Sequence, residues 1–323
     1  MIKAFVVEND RLRPVDGLAE ASKVVWADLF NPTEDEKPAV EKWLGAPVPS
    51  REEMEEIEIS SRLYTEDGAH FMTAILPSQV DSDTPVMSPV TFVLHRGMLL
   101  TVRYSEPRAF QTFPARAESA SIGCTNGETI LLGLLEAIVD RLADVLEYIS
   151  RDVEALSQHI FHPSQKKASQ RDHSFQRILK TIGRKESLTA NMRDSLTSLQ
   201  RLSGFLANAT LGTKGGKDVR ARIKTLSRDI ASLTDHASFQ SQKINFLLDA
   251  TLGMINIEQS GIIKIVSVAA VVFLPPTLVA SIYGMNFEHM PELEWGIGYP
   301  LALGIMVVSA ILPFWWFRSK GWL

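Results

Sequence analysis

The chain has 323 residues, of which 22% are charged, and a net charge of -5 at pH 7. This length and balance suit one or two globular domains and argue against a nucleic-acid partner. A single cysteine, Cys124, excludes an intrachain disulfide and a cysteine-rich metal site, which agrees with a reducing compartment. The opening MIKAFVVENDRLRP meets acids and an arginine early and has no long apolar core, so a cleaved signal peptide is not expected.

The first hundred residues predict an α/β arrangement. Short runs rich in Val, Phe, Thr and Ile, bounded by turn-forming residues, favour β-strands. Arg96-Gly97 is the expected turn between the last two strands, and NPTEDEKPAVEKWLG predicts a capped helix ending at Gly45. The predicted strands are IKAFVVE, KVVWADLF, HFMTAIL, VTFVLHRG and MLLTVRY.

From about Thr125 the pattern becomes helical. Thr125 and Glu128 have the spacing of a capping box, and apolar residues then recur with helical period as far as Leu156. A break at His162-Pro163 precedes a second, polar helix, which ends before the loop LGTKGGKD.

Residues 217–282 are expected to form one helix, because no proline interrupts them before Pro275-Pro276. At about 1.5 Å per residue this helix is roughly 100 Å long. A bilayer core takes only about 30 Å of that length. About two thirds of the helix should therefore project into the cytoplasm as a stalk, while the proline pair distorts the remaining part.

Two uncharged stretches, Ile265 to Ile282 and Gly296 to Phe317, are long enough to span a membrane. Lys264 precedes the first, Arg318 and Lys320 follow the second, and the connector between them has neither lysine nor arginine. Since positive flanks favour the cytoplasmic side, both termini are predicted inside and the connector outside. The amine of Lys264 can reach the interface along its aliphatic chain.

One face of the long helix is small and polar, with apolar residues at intervals. The face can serve either for close helix packing or as the lining of a water-filled path in a homo-oligomer, since two spans cannot enclose a pore by themselves. Its members, read at alternating spacings of four and three, are Asp249, Gly253, Asn256, Ser260, Ile263, Ser267, Ala270, Leu274, Thr277 and Ser281.

The sequence Tyr283-Gly284-Met285-Asn286-Phe287, followed by Met290-Pro291-Glu292-Leu293, resembles the CorA magnesium transporter family. The basic FRSKGWL ending is also similar to that family. The resemblance implies a homopentameric, funnel-shaped divalent cation channel in the cell inner membrane, carrying Mg2+ and often Co2+ or Ni2+, with no organic cofactor and no enzymatic activity. The implied fold is an α+β cytoplasmic domain with an α/β/α-like sheet, then a very long stalk and transmembrane helix, then a second transmembrane helix.

The resemblance also implies roles for individual residues. Gly284, Met285 and Asn286 would form the outer ring that receives the hydrated ion, with Asn286 as the group that contacts it. In the family, pore-lining positions match Thr277, Leu274, Ile263, Ser260 and, at the cytoplasmic end, Asp249. Leu274 and Ile263 stand where family members often have methionine. The corresponding ion contacts are expected at Asn286, through the hydrated ion, and at Asp249.

Carboxylates outside the span have two expected roles. In the connector, Glu288, Glu292 and Glu294 are expected to raise the cation concentration at the mouth; the alternative is a solvated loop. The family closes when intracellular Mg2+ occupies acidic sites between neighbouring cytoplasmic domains. By residue type alone, the regulatory candidates are Asp81, Asp83, Asp218 and Asp229.

Other functions remain open at this point. His159 and His162 have a spacing that could hold a transition metal, but the proline that follows favours a simple helix end. A zinc-transporting member of the same superfamily and a non-transporting, membrane-anchored coiled-coil scaffold are the alternatives to a magnesium channel. The expected domains are 1–124, N-terminal α/β; 125–260, helical domain and stalk; 261–282, pore-lining span; 283–296, acidic external loop; 297–317, second span; and 318–323, basic cytoplasmic tail.

Overall fold

The structure is a computed structural model that describes residues 1–18, 20–82, 85–119, 123–161, 168–209, 216–286, 290–291 and 295–322. The chain divides into two compact units, Met1–Leu248 and Asp249–Leu323. The first unit contains the β-sheet and the helices packed on it. The second contains the two uncharged stretches.

One mixed sheet organises the first unit. Its strand order is β2-β1-β3-β7-β6-β5-β4, in which β3 and β7 run parallel and the other neighbours run antiparallel. All five predicted strands are confirmed, and β2 and β4 are additional. The strands are β1 (Ile2–Glu8), β2 (Arg11–Asp16), β3 (Val24–Phe30), β4 (Leu63–Glu66), β5 (Ala69–Ser78), β6 (Val86–His95) and β7 (Met98–Arg103).

The two additional strands form the edges of the sheet. β2 contains Pro14, which pairs with Phe5 of β1; a proline cannot donate a ladder hydrogen bond and is tolerated at an edge. β4 is four residues long, and a short edge strand presents few unpaired backbone groups to other chains. The predicted Arg96-Gly97 turn is confirmed, with φ of 49° and 76° at its two residues.

Helices cover both faces of the sheet. The predicted helix before Gly45 is present as α1, and Gly45 takes a left-handed φ of 75° at its C-terminal end, as a terminating glycine should. The helices are α1 (Lys37–Leu44), α2 (Arg51–Glu55), α3 (Ile59–Arg62), α4 (Ala109–Ser119), α5 (Gly127–Phe161), α6 (Ala168–Ala209), α7 (Gly216–Tyr283) and α8 (Gly298–Ser319).

The central strands are buried on both sides because their side chains alternate between two hydrophobic cores. Trp26 and Leu99 belong to the core formed with α4, α5, α6 and the first part of α7. Their chain neighbours Ala27 and Leu100 belong to the core formed with α1 and α2. This three-layer arrangement is the α/β/α type expected from the sequence.

The start of α5 differs from its predicted cap by one residue. Asn126 Oδ1 accepts a hydrogen bond from the Thr129 backbone N–H at 2.9 Å, and Thr129 Oγ1 accepts from the backbone N–H groups of Thr125 and Asn126. The reciprocal box therefore joins Asn126 and Thr129, and the prediction of Thr125 with Glu128 was wrong. Asparagine is among the best N-terminal capping residues, and the threonine hydroxyl here takes the place of a glutamate.

The first part of α7 packs through a regular seam. Its buried residues are separated by three, four or, once, seven positions, which keeps the heptad register of a coiled-coil core. One of them is polar: Gln240 donates from Nε2 to Ser150 Oγ of α5 at 2.6 Å, which satisfies its buried amide nitrogen. The buried residues of the seam are Ile223, Leu226, Ile230, Ala237, Gln240, Ile244 and Leu247.

A buried ion pair joins β3 and β7. The Asp28 carboxylate accepts from Arg103 Nε at 3.0 Å, from Arg103 Nη2 at 2.9 Å and from Thr101 Oγ1 at 2.7 Å. Arg103 is 1% exposed and Asp28 is 3% exposed. The Arg103 guanidinium also lies 4.6 Å from the Phe30 ring centroid. The bidentate geometry and the aromatic contact satisfy two charges that burial alone would make very costly.

Candidate ion pathway

The second unit contains two helical segments suitable for a membrane. The most apolar 18-residue stretch has a mean hydropathy of 2.2 in α7 and 1.9 in α8. Only 6% of the stretch in α7 and 11% of that in α8 is buried, whereas the core helix of a soluble protein would be mostly buried. In water this much exposed apolar surface would be unfavourable, so lipid or other copies of the chain should cover it.

The small, polar face lies on α7 from Asp249 to Ser281 and is uncovered in a single chain. Nearly all of its members are exposed, Leu274 at 67% and Ile263 at 65%; Ser267 and Gly253 are half-buried. The two buried residues of this segment, Thr251 and Val268, are each more than 90° around the helix from Leu274 at about 100° per residue. The face that sequence reasoning selected is thus available for contact with water or with another copy.

The proline pair does not end the helix. α7 continues through Pro275 and Pro276 to Tyr283. Thr277 Oγ1 donates to the carbonyl of Phe273, four residues earlier, at 2.7 Å. Its hydroxyl hydrogen is thereby committed to the backbone, so the oxygen keeps its lone pairs directed away from the helix and can accept hydrogen bonds from water in a pore.

Helix α7 ends just before the Gly-Met-Asn sequence. The Gly284 N–H donates to the carbonyl of Ala280 at 2.9 Å, and a Cβ added at Gly284 would lie 3.0 Å from that same oxygen. Close approach rather than backbone conformation favours glycine here, since Gly284 is not among the residues with a left-handed φ. Met285 is 48% exposed. Asn286 is exposed, with no hydrogen-bond partner among the described residues, so its amide is free to contact an ion or water.

The structure describes only some of the acidic residues that are expected to attract cations or to bind a regulatory ion. Glu288, Glu292 and Glu294 of the connector, and Asp83, lie outside the described residues. Asp81 Oδ2 lies 3.3 Å from Arg141 Nη2, and its side chain is 83% exposed.

The other regulatory candidates lie on α7 of the first unit. Asp218 and Asp229 are exposed, and Asp229 is close enough to Asp140 to contribute to its raised pKa, of which burial is the main cause. Within the described ranges no group of three or more His, Cys, Asp or Glu side chains could hold a metal ion. Of the histidine pair, His159 is exposed at the end of α5, while His162 lies outside the described residues.

Sequence reasoning missed a contact that joins the ends of the two apolar segments. Lys264 Nζ, at the start of the first, lies 5.8 Å from the ring centroid of Trp322, which follows α8. The chain therefore places these two ends side by side. A glycine directly after a helix, followed by a large apolar residue, is a known C-terminal cap signature, and Gly321-Trp322 could have been read as one.

These features define a membrane protein with an α/β unit, a long helix and a second apolar helix, and with an uncovered polar face on the first span. A family model described as CorA-like Mg2+ transporter protein matches residues 21–319. The chain is 38% identical over 326 residues to the magnesium transport protein CorA of Pasteurella multocida, and 39% identical over 325 residues to that of Escherichia coli K12. Both alignments cover 100% of each protein.

The fold comparison agrees. The complete structure of the CorA magnesium transporter from Methanocaldococcus jannaschii superposes with a TM-score of 0.79, at 19% identity, over 100% of this chain and 99% of that one. The chain belongs to the CorA-like Mg2+ transporter family, which confirms the resemblance and the fold class expected from the sequence. Members of this family are transporters, so the chain is not an enzyme.

Proposed function

We propose that the protein carries Mg2+ passively into the cell across the inner membrane, as a homopentamer whose α7 helices surround a central pore. The observation that carries this proposal is the uncovered polar face of α7, from Asp249 to Ser281, in a chain of this family. Two spans cannot enclose a water-filled path, whereas several copies with this face turned inward can. An inside-negative potential of 100 mV favours entry of a divalent cation by about 4.6 kcal/mol, at about 2.3 kcal/mol per charge.

A ring of Asn286 side chains receives the ion at the outer mouth. Mg2+ loses its water reluctantly and prefers oxygen ligands, so neutral amide oxygens can accept hydrogen bonds from a hydrated ion without stripping it. A ring of carboxylates would hold the ion more strongly and slow its release. Met285 supports the ring by packing, because a thioether is too soft a ligand for Mg2+. The hydrogen bond from the Gly284 N–H to the Ala280 carbonyl supports a defined position for the residues of this ring at the end of α7.

Further inside, apolar and polar rings alternate. Leu274 and Ile263 form constrictions that close the path by excluding water. Thr277, on the outer side of Leu274, and Ser260, on the inner side of Ile263, offer hydroxyl oxygens next to the constrictions. Asp249 supplies a carboxylate at the cytoplasmic end. The remaining lining is contributed by Asn256, Ser267, Ala270 and Ser281.

The connector and the cytoplasmic unit complete the proposal. Glu288, Glu292 and Glu294 concentrate cations at the external mouth, and the contact between Lys264 and Trp322 supports an arrangement in which both termini face the cytoplasm. Intracellular Mg2+ closes the pore by binding between copies, with Asp81, Asp83, Asp218 and Asp229 as candidate ligands. Co2+ and Ni2+ are further permeant ions. The domain limits at 124/125, 260/261, 282/283, 296/297 and 317/318 belong to the same proposal.

The test is ion flux into liposomes that contain the purified protein, with a fluorescent indicator enclosed. The proposal predicts Mg2+ entry well above that of empty vesicles, increased by an inside-negative potential. Entry of Zn2+ without Mg2+ would favour a zinc transporter instead, and flux equal to that of empty vesicles would favour a scaffold. Chemical crosslinking should give a series of species ending at five copies; a series ending at two would refute the pentamer.

A further inference from the structure

The C-terminal end of α8 is built as a specific cap. The Trp322 N–H donates to the carbonyl of Phe317 at 3.1 Å, and the Gly321 N–H donates to the carbonyl of Arg318 at 3.1 Å. Gly321 has a left-handed φ of 69°. These two hydrogen bonds and this glycine constitute a Schellman motif, in which the residue after the glycine packs on the third residue from the helix end. The Trp322 and Phe317 ring centroids are accordingly 5.2 Å apart.

The cap determines where a lysine of the other span lies. Phe317 is 7% exposed, so Trp322 rests on a buried residue and has a fixed position. Lys264 Nζ stands 5.8 Å from the centroid of the Trp322 ring, within the range of a cation–π contact. Phe317 also contacts Trp316, whose ring centroid is 5.0 Å away. The ammonium of Lys264 thus lies beside the capped end of α8.

Three basic residues lie at or beside this end of α8: Lys264, Arg318 and Lys320. Arg318 lies in the last turn of α8 and Lys320 is its C-terminal capping residue; they precede Trp322, whose ring Lys264 contacts, by four and two positions. The sequence has no Asp or Glu between residues 259 and 287 or after residue 294. None of the three cations has an ion-pair partner in the part of the chain that the structure describes. The three side chains together carry a formal charge of +3, which no ion pair among the described residues reduces.

The surface around these cations is aromatic and exposed. Trp315 is 73% exposed, Trp316 is 56% exposed and Trp322 is 43% exposed. Tryptophan is enriched at the headgroup level of membranes because its ring is apolar and its N–H is polar. Cations placed beside such residues, at the end of a span, are in reach of the phosphates of anionic lipids.

We propose that Lys264, Arg318, Lys320 and Trp322 form a binding site for the headgroup of an anionic phospholipid, hereafter the Lys264 cluster. The lipid phosphate lies between the three cations, and its acyl chains follow the exposed apolar surface of α8. The charge of the cluster selects an anionic headgroup over a zwitterionic one. The Schellman cap makes the site specific, because it positions Trp322 and, through it, the Lys264 ammonium.

The expected strength follows from the cation count. A basic residue near an anionic membrane surface contributes enough to change lipid binding by about fivefold. The whole cluster should therefore give a clear preference for phosphatidylglycerol over phosphatidylcholine, and each neutralised cation should reduce that preference several-fold. Because the attraction is partly exposed to water, added salt should weaken it.

The test measures lipid selectivity of the full chain in membranes. The protein is reconstituted in phosphatidylcholine vesicles that contain a trace of spin-labelled phosphatidylglycerol or spin-labelled phosphatidylcholine, and the motionally restricted fraction of each is read by electron paramagnetic resonance. The variants are Lys264→Gln, the triple change of Lys264, Arg318 and Lys320 to Gln, Trp322→Ala and Lys264→Arg. The matched control is Lys224→Gln, an exposed lysine of the first unit.

The proposal predicts selectivity for phosphatidylglycerol in the wild type, in Lys264→Arg and in the control. It predicts a several-fold lower selectivity in Lys264→Gln and Trp322→Ala, and none in the triple variant. Equal restriction of the two lipids by the wild type would overturn it. Full selectivity in Trp322→Ala, with loss only in the triple variant, would also overturn it, because general charge attraction would then suffice without a built site. The readout does not involve transport, so it is independent of the proposed function.

Discussion

Replacing Asp28 by asparagine should destabilise the first unit by about 3 kcal/mol or more. The change removes a carboxylate that accepts from Arg103 Nε and Nη2 and from Thr101 Oγ1 at 2.7–3.0 Å. Arg103 is 1% exposed and would keep its charge without a counterion. Breaking a buried pair by removing one partner costs about 3 to 5 kcal/mol. The lower end applies here because asparagine can still accept one hydrogen bond and the Phe30 contact remains.

The assay is urea unfolding of the full-length protein in detergent, followed by tryptophan fluorescence, to which Trp26 and Trp43 of the first unit contribute. Asp16→Asn is the matched control, since Asp16 is exposed at the end of β2 and should change stability by less than about 0.5 kcal/mol. Replacing the pair together, Asp28→Leu with Arg103→Met, should restore most of the loss because no uncompensated charge remains. A loss below about 1 kcal/mol in Asp28→Asn, or a double variant less stable than the single one, would refute this reasoning.

Three further outcomes are expected. Burial raises the pKa of the Cys124 thiol to about 11. Because this thiol ionises at lower pH in the unfolded chain than in the folded one, the free energy of unfolding should fall by about 3 kcal/mol at most between pH 9 and 11. In urea unfolding, Cys124→Ala should lack that pH-dependent decrease. Gly284→Ala should lower Mg2+ flux without preventing assembly, because its Cβ would lie 3.0 Å from the Ala280 carbonyl oxygen; wild-type flux would show that the turn tolerates a shift. Asp249→Ala should change the rate of flux only modestly, whereas complete loss would show that Asp249 is a required ion site.

Much of the sheet could be predicted because its central strands follow simple composition rules. β1, β3, β5, β6 and β7 are rich in β-branched and aromatic residues, and each was expected. β2 was missed because RLRPVD contains a proline and three charged residues, which are acceptable only at an edge that sequence alone does not reveal. α4 was missed for a related reason, since Pro114 lies inside it.

Buried polar contacts could not be predicted. Asp28 and Arg103 are distant in the sequence, and their pairing depends on the parallel register of β3 with β7. The one-residue displacement of the α5 cap shows a different limit. Asn126 and Thr129 can form the same reciprocal hydrogen bonds as the predicted pair, so spacing alone does not identify which residues close the box.

The position of the polar face on α7 could be predicted more fully than the Lys264 cluster. The polar face of α7 depends only on helical spacing within one element, so the structure places it where the sequence indicated. The contact of Lys264 with Trp322 depends on two elements and on the turn at Gly321. The proposed roles of Asp81 and Asp218 involve contacts between copies of the chain, and such contacts follow from neither the local sequence nor a single fold.

The central claim is that a ring of Asn286 amides admits Mg2+. The most direct measurement compares Mg2+ flux into liposomes for wild type, Asn286→Ala and Asn208→Ala, the last being a matched change of an exposed asparagine on α6. The account predicts that Asn286→Ala assembles normally but loses transport, because the side chain is exposed and supports no core, while Asn208→Ala keeps wild-type flux. Wild-type flux through Asn286→Ala would contradict the account.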